Sequence, residues 1–226
     1  MFDIFFISNN EPFADENFLN AKELLPTLKR ISGIDGIHNA HYECSKKSFT
    51  ENFFTIDYDN ILNPEYINFI IDYEWNEHDD KEVIQIFYAN NPVNNLIYGW
   101  GGIKLWHKNI FLSNSNYLDF TTAHSKIKIK PIILSMHKFN ISKYETFKSV
   151  FREIIKLSYR EKYFEDLEAS LRLNMWRTSF NESADFVDVA KQAIDIADTF
   201  FARNENLEVI NNYNYLKIIY RKYFEN

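Results

Sequence analysis

Asp57 and Asp59 stand one residue apart at the end of the apolar run Phe53-Phe54-Thr55-Ile56. A buried strand that stops in Asp-x-Asp can present carboxylates at a sheet's carboxyl edge, where open α/β sheets bind ligands. Hard divalent cations such as Mn2+ or Mg2+ favour such oxygen ligands and bridge to phosphates. A cation shared by Asp57, Asp59 and a diphosphate would offset the charge that develops as the diphosphate leaves. Asp-x-Asp alone is common, and most copies are solvated turns. What raises its weight here is the strand before it.

A second feature is the placing of glycine. The chain has five, confined to Gly33 and Gly36 and to Gly99, Gly101 and Gly102. Tyr98-Gly99-Trp100-Gly101-Gly102 reads as a tight, aromatic-bearing loop opening onto a strand at 103–106, either a plain hairpin turn or a loop that lets backbone approach a ligand. It fits neither a dinucleotide fingerprint nor a P-loop. His38 and His41 share a helix face, but with no cysteine partner and no His-Glu-x-x-His pattern, zinc is the weaker reading. His107, His124 and His137 are scattered. Cys44, the sole cysteine, reads as a small buried side chain.

The elements that must position these residues follow from periodicity. Apolar runs at 3–8, 28–31 and 52–56 read as strands, and segments 15–25 and 36–47 as helices. Together they make α/β units with a partly parallel sheet. Segments 66–72, 82–88, 103–106 and 127–134 read as extended, with 75–81 a polar connection. Lys126, Lys128 and Lys130 alternate with Ile127 and Ile129, as in an edge strand defended by lysine or a strand facing phosphate. From Lys143 onward apolar residues recur at helical spacing, with helices over 164–175 and 184–201 and a last helix or helix pair over 209–224. The expected organisation is a core over 1–140 and a helical extension over 141–226, packed as one unit.

Composition limits the function classes. The 226 residues are 46% hydrophobic and 17% aromatic, enough for a sizeable core. A net charge of −7 argues against a protein that coats nucleic acid, so no general nucleic-acid binding is expected. A single cysteine allows no internal disulfide and fits a reducing compartment. The apolar start is too short for a signal peptide and no long apolar run follows, so a cytoplasmic protein with no membrane partner is expected.

Taken in order, Phe6-Ile7-Ser8, Glu11-Pro12, Gly36-Ile37-His38-Asn39-Ala40-His41, Asp57-Tyr58-Asp59, Tyr98-Gly99-Trp100-Gly101-Gly102, Leu118-Asp119-Phe120 and Phe151-Arg152-Glu153 resemble a family of glycosyltransferase-like proteins of tailed, especially marine, phages. That resemblance covers nearly the whole chain. A wider one, to GT-A glycosyltransferases, covers the first 140 residues or so. It implies a GT-A-like (Rossmann-like) mixed central sheet flanked by helices. It also implies metal-dependent transfer from a nucleotide-diphosphate sugar to an acceptor hydroxyl, in the host cytoplasm if phage-encoded. By this resemblance Ser8, Glu11, His38, His41 and Arg152 would contact the nucleotide, and Asp57 the ribose, sugar or metal. Asp59 would bind the metal. Gly99, Trp100, Gly101 and Gly102 would line donor and acceptor, and Asp119 would be the base. The acceptor is open, with a glycan or a modified DNA base both compatible. A non-catalytic carbohydrate- or protein-binding relative is the alternative, and a metal-dependent nuclease ranks last.

Overall fold

The computed structural model describes residues 2–74, 83–99, 101–112, 126–203 and 205–225. The chain divides into two compact units, one of Met1–Asn91 with Ile97–Lys138, the other of Pro92–Leu96 with Phe139–Asn226.

The first unit is a mixed α/β sheet. Its strands are β1 (Asp3–Ser8), β2 (Lys29–Ser32), β3 (Asn52–Asp57), β4 (Asn60–Leu62), β5 (Ile84–Asn90), β6 (Ile97–Tyr98), β7 (Lys104–His107) and β8 (Ile127–His137). The order across the sheet is β2-β1-β3-β7-β5-β8-β4, with β6 paired to β5. β1 is parallel to β2 and β3, β7 is antiparallel to β3 and β5, and β8 is parallel to β5. Helix α1 (Ala14–Leu24) links β1 to β2, and α2 (Ile37–Lys47) links β2 to β3. The carboxyl ends of β1, β2, β3, β5 and β8 therefore share one edge with the amino ends of β7 and β4. β1 leads to β2 on one side of it while β3 lies on the other, which makes a topological switch point.

Strand alternation sorts the core. Phe5, Ile7, Ile31, Phe53, Ile84, Ile86 and Trp106 pack with Ala40 and Cys44 of α2 on one face. Phe6 and Phe54 turn to the other, where Phe6 meets Phe18 and Phe54 meets Tyr73 and Phe87. Pro131 lies where the β5–β8 register shifts, as suits a residue with no N–H to give a ladder. The lysine-bearing half of β8 pairs with β5, while β4 reaches only Ser135–His137.

One extended segment of the sequence reading is helical instead. Residues 66–72 fall in a 3-10 turn, Pro64–Tyr66, and a short helix α3, Ile67–Ile71. Asn63 caps the turn by accepting from the Glu65 N–H at 3.2 Å, and Pro64 follows it. An Asn-Pro start of this kind outweighs an apolar run too short to fix its own period.

The second unit is helical, with α4 (Lys143–Phe164), α5 (Leu167–Thr178), α6 (Val187–Ala202) and α7 (Tyr213–Phe224). Phe147, Phe151, Leu173, Trp176, Ala193, Phe200 and Leu216 lie in its core. No helix among the described residues is long and apolar enough to cross a membrane.

Candidate functional site

Ser8, Asp57, Asp59, Gly101, Gly102, Lys104 and His137 lie at or next to the shared edge, at the ends of the strands they belong to or follow. The β1–β3 register sets Ile7 opposite Asp57. The β3–β7 register sets Thr55 opposite Lys104. Because side chains alternate along a strand, Asp57 shares the α2-facing side with Phe53 and Thr55.

Asp57 is partly exposed and Lys104 is buried, their side chains 27% and 6% accessible. The Lys104 ammonium lies 3.4 Å from Asp57 Oδ2 and donates to the Gly102 carbonyl at 3.0 Å. Asp57 Oδ1 is buried with no hydrogen-bond partner among the described residues. Gly102 is required by backbone packing, since a Cβ there would stand 1.9 Å from the Phe87 carbonyl oxygen.

Asp59 has a different environment. It is 9% exposed, its backbone carbonyl accepts from the Lys138 N–H at 2.6 Å, and its Oδ2 is 3.1 Å from His137 Nε2. His137 Nδ1 is 2.6 Å from the Tyr98 hydroxyl. A carboxylate only accepts, so the Asp59 contact puts a proton on Nε2. Gly101 lies against that link: a Cβ there would come within 2.3 Å of His137 Nδ1.

His41, on the first turns of α2, is buried beside Trp106, their ring centroids 4.7 Å apart. Its Nδ1–H donates to the Ile37 carbonyl at 2.7 Å, and its Nε2 is buried with no partner among the described residues. Burial pushes its pKa down to about 4, against the opposing pull of the Asp57 carboxylate. Burial also lowers the pKa of His38, whose ring is 6.4 Å from Phe111. Cys44 is fully buried, and burial with the nearby Asp57 charge raises its thiol pKa, so it is an inert core residue. α2 returns from the carboxyl end of β2 to the start of β3, so its N-terminus and its partial positive charge lie at the same edge.

The other expected contacts are tied up differently. Ser8 is 3% exposed, and its Oγ accepts from Arg30 Nε at 3.0 Å. Arg30 also pairs with Asp15 at 2.6 Å. Glu11 accepts from the Asn9 N–H. Arg152 belongs to the second unit, where it reaches Asn211 at 3.3 Å and lies over the Tyr213 ring. Trp100 and Asp119 lie outside the described residues. Sequence reasoning missed Lys104, Arg30, Tyr98 and the link from His137 to Asp59. Lys104 did carry a signal, as a charge in an otherwise apolar strand segment directly after the glycines.

Among the described residues no group of three or more His, Cys, Asp or Glu side chains is placed to hold a metal. Asp57 Oδ2 faces an ammonium and Asp59 Oδ2 a histidine nitrogen, so the described side chains do not by themselves form an all-protein cage for Mn2+ or Mg2+, and a cation here would need oxygens from a bound diphosphate as well.

No family model and no curated protein matches the chain. Among solved structures it is similar to a glycosyltransferase involved in the glycosylation of the major capsid of PBCV-1. The identity is 20% and the TM-score 0.32, over 48% of this chain and 61% of that one, less than two thirds of its length.

Proposed function

We propose that this chain transfers a sugar from a nucleoside-diphosphate donor to an acceptor hydroxyl, with the donor held at the carboxyl edge beside β1 and β3. One observation carries the reading. At the switch point a carboxylate with one buried oxygen that has no partner among the described residues, Asp57, sits beside a buried ammonium, Lys104. A donor of this class brings hydroxyl donors, which suit the carboxylate oxygen, and a diphosphate, which suits the cation. In the transfer the acceptor oxygen bonds to the anomeric carbon as the bond to the diphosphate breaks. The acceptor's proton passes to a base, the role assigned to Asp119, and negative charge grows on the leaving group.

The test is a panel of labelled sugar nucleotides followed for binding, hydrolysis and transfer. At least one donor should bind, and Asp57→Asn should weaken that binding by about 10-fold, or roughly 1.4 kcal/mol. The variant also removes the carboxylate beside the buried Lys104 ammonium, so its fold is checked by circular dichroism and binding is compared well below its own melting temperature. Absence of binding and turnover with every donor rejects the reading.

A further inference from the structure

The geometry points to Lys104 as the group that supplies the positive charge for the donor's diphosphate, so that donor binding proceeds without a divalent cation. This inference rests on the transferase reading.

Lys104 is fixed by strand pairing rather than by a loop. It opens β7 opposite Thr55 of β3, so its root is set by the sheet itself. Its ammonium is drawn to one place, between Asp57 Oδ2 and the Gly102 carbonyl. Gly102 in turn is held against the Phe87 carbonyl, closer than any side chain would allow. An ammonium has three N–H donors, and these contacts use two. The carboxylate contact, at 3.4 Å, is long for a charge-assisted hydrogen bond.

For stability alone the arrangement is poor. Taking an ammonium out of water costs more than one long carboxylate contact offsets, and a well-packed apolar residue would serve a purely structural role better. A polyanion arriving at this edge changes that balance, because a charge already desolvated acts on it with little screening.

The same pair is hard to reconcile with a metal. A divalent ion on Asp57 would stand beside the Lys104 charge and be repelled by it. Asp59, the other expected ligand, has Oδ2 directed to His137. During transfer the bonding electrons of the sugar–diphosphate bond remain with the diphosphate, which gains one negative charge. Lys104 meets that charge without giving up a proton, and the acceptor's proton goes to the base.

Calorimetric titration of protein stripped with EDTA tests this, using UDP, GDP and inorganic pyrophosphate, each with EDTA and with added Mn2+. At least one should bind with affinity in EDTA within about 3-fold of that in Mn2+, and Lys104→Met should weaken it by about 10-fold or more while Lys104→Arg keeps most of it. Binding that vanishes in EDTA and returns with Mn2+ overturns the inference and leaves the transferase reading standing. So does a folded Lys104→Met variant that binds as the parent does. The EDTA comparison uses the parent protein, so it decides the matter even where Lys104→Met fails to fold. If none of the three ligands binds in either condition the inference falls, and if no sugar nucleotide binds either the transferase reading falls with it.

Discussion

His41 is kept neutral by its surroundings. It is 2% exposed and packed against Trp106, and its pKa drops from 6.5 to about 4. The unfolded chain takes up this proton below about pH 6.5, whereas the native state resists until about pH 4. Below pH 6.5 the unfolded state therefore binds more protons, and stability falls with pH through that window. At pH 5 the loss from this one group is about 2 kcal/mol, while above pH 7 it contributes nothing. Urea unfolding at pH 7 and pH 5 should show the parent losing about that much more than His41→Leu. Equal losses would mean that His41 is protonated in the native state at pH 5. The sequence showed His38 and His41 on one helix face, but not that burial would keep the second uncharged. The contacts that define the edge were less legible still. Lys104 meets Asp57 across 47 positions, and His137 meets Asp59 across 78. Such pairs exist only once strand order and register are set, and no local spacing encodes those.

Elements were legible where their period had room to repeat. β1, β3, α1 and α2 each span six or more residues, and their patterns placed them within about one position of their ends. β4 and β6, of three and two residues, are too short to show alternation and are recognised only by their partners. The start of α4 shows local chemistry acting at this scale. Ser142-Lys143-Tyr144-Glu145 has the Ser-x-x-Glu form of a capping box, and the Ser142 hydroxyl accepts from the Glu145 N–H at 3.1 Å. That bond satisfies a donor that the first turn of a 22-residue helix leaves orphaned. Ser142→Ala should therefore destabilise the helical unit by about 1 kcal/mol, with Ser142→Gly costing only a few tenths. The check is the shift in urea midpoint of the helical signal. A Ser142→Ala midpoint equal to the parent's would mean that water caps the helix equally well.

At the scale of the molecule, the division into units cuts across the linear order. The sequence pattern changes character near residue 140, and the second unit begins again at Phe139. What the pattern could not reveal is that Pro92–Leu96, between two strands of the first unit, belongs to the second. There the Asn181 side chain donates to the Pro92 carbonyl at 3.0 Å and the Asn181 N–H to that of Val93 at 2.7 Å. Charge, by contrast, belongs to the whole chain and is readable at once. A net charge of −7 repels a polyanion at long range, while the proposed donor needs only one local cation, Lys104. Nonspecific binding to duplex DNA draws its free energy from many phosphate contacts and the counterions they release, and a net negative charge opposes it. Random-sequence duplex DNA should therefore bind with a Kd weaker than about 100 μM at physiological salt, the weak end of the nonspecific range. Fluorescence anisotropy with a labelled duplex measures it. Binding tighter than that, weakening steeply as salt rises, would reveal a basic surface that the overall charge conceals, and would turn the acceptor question toward a modified DNA base.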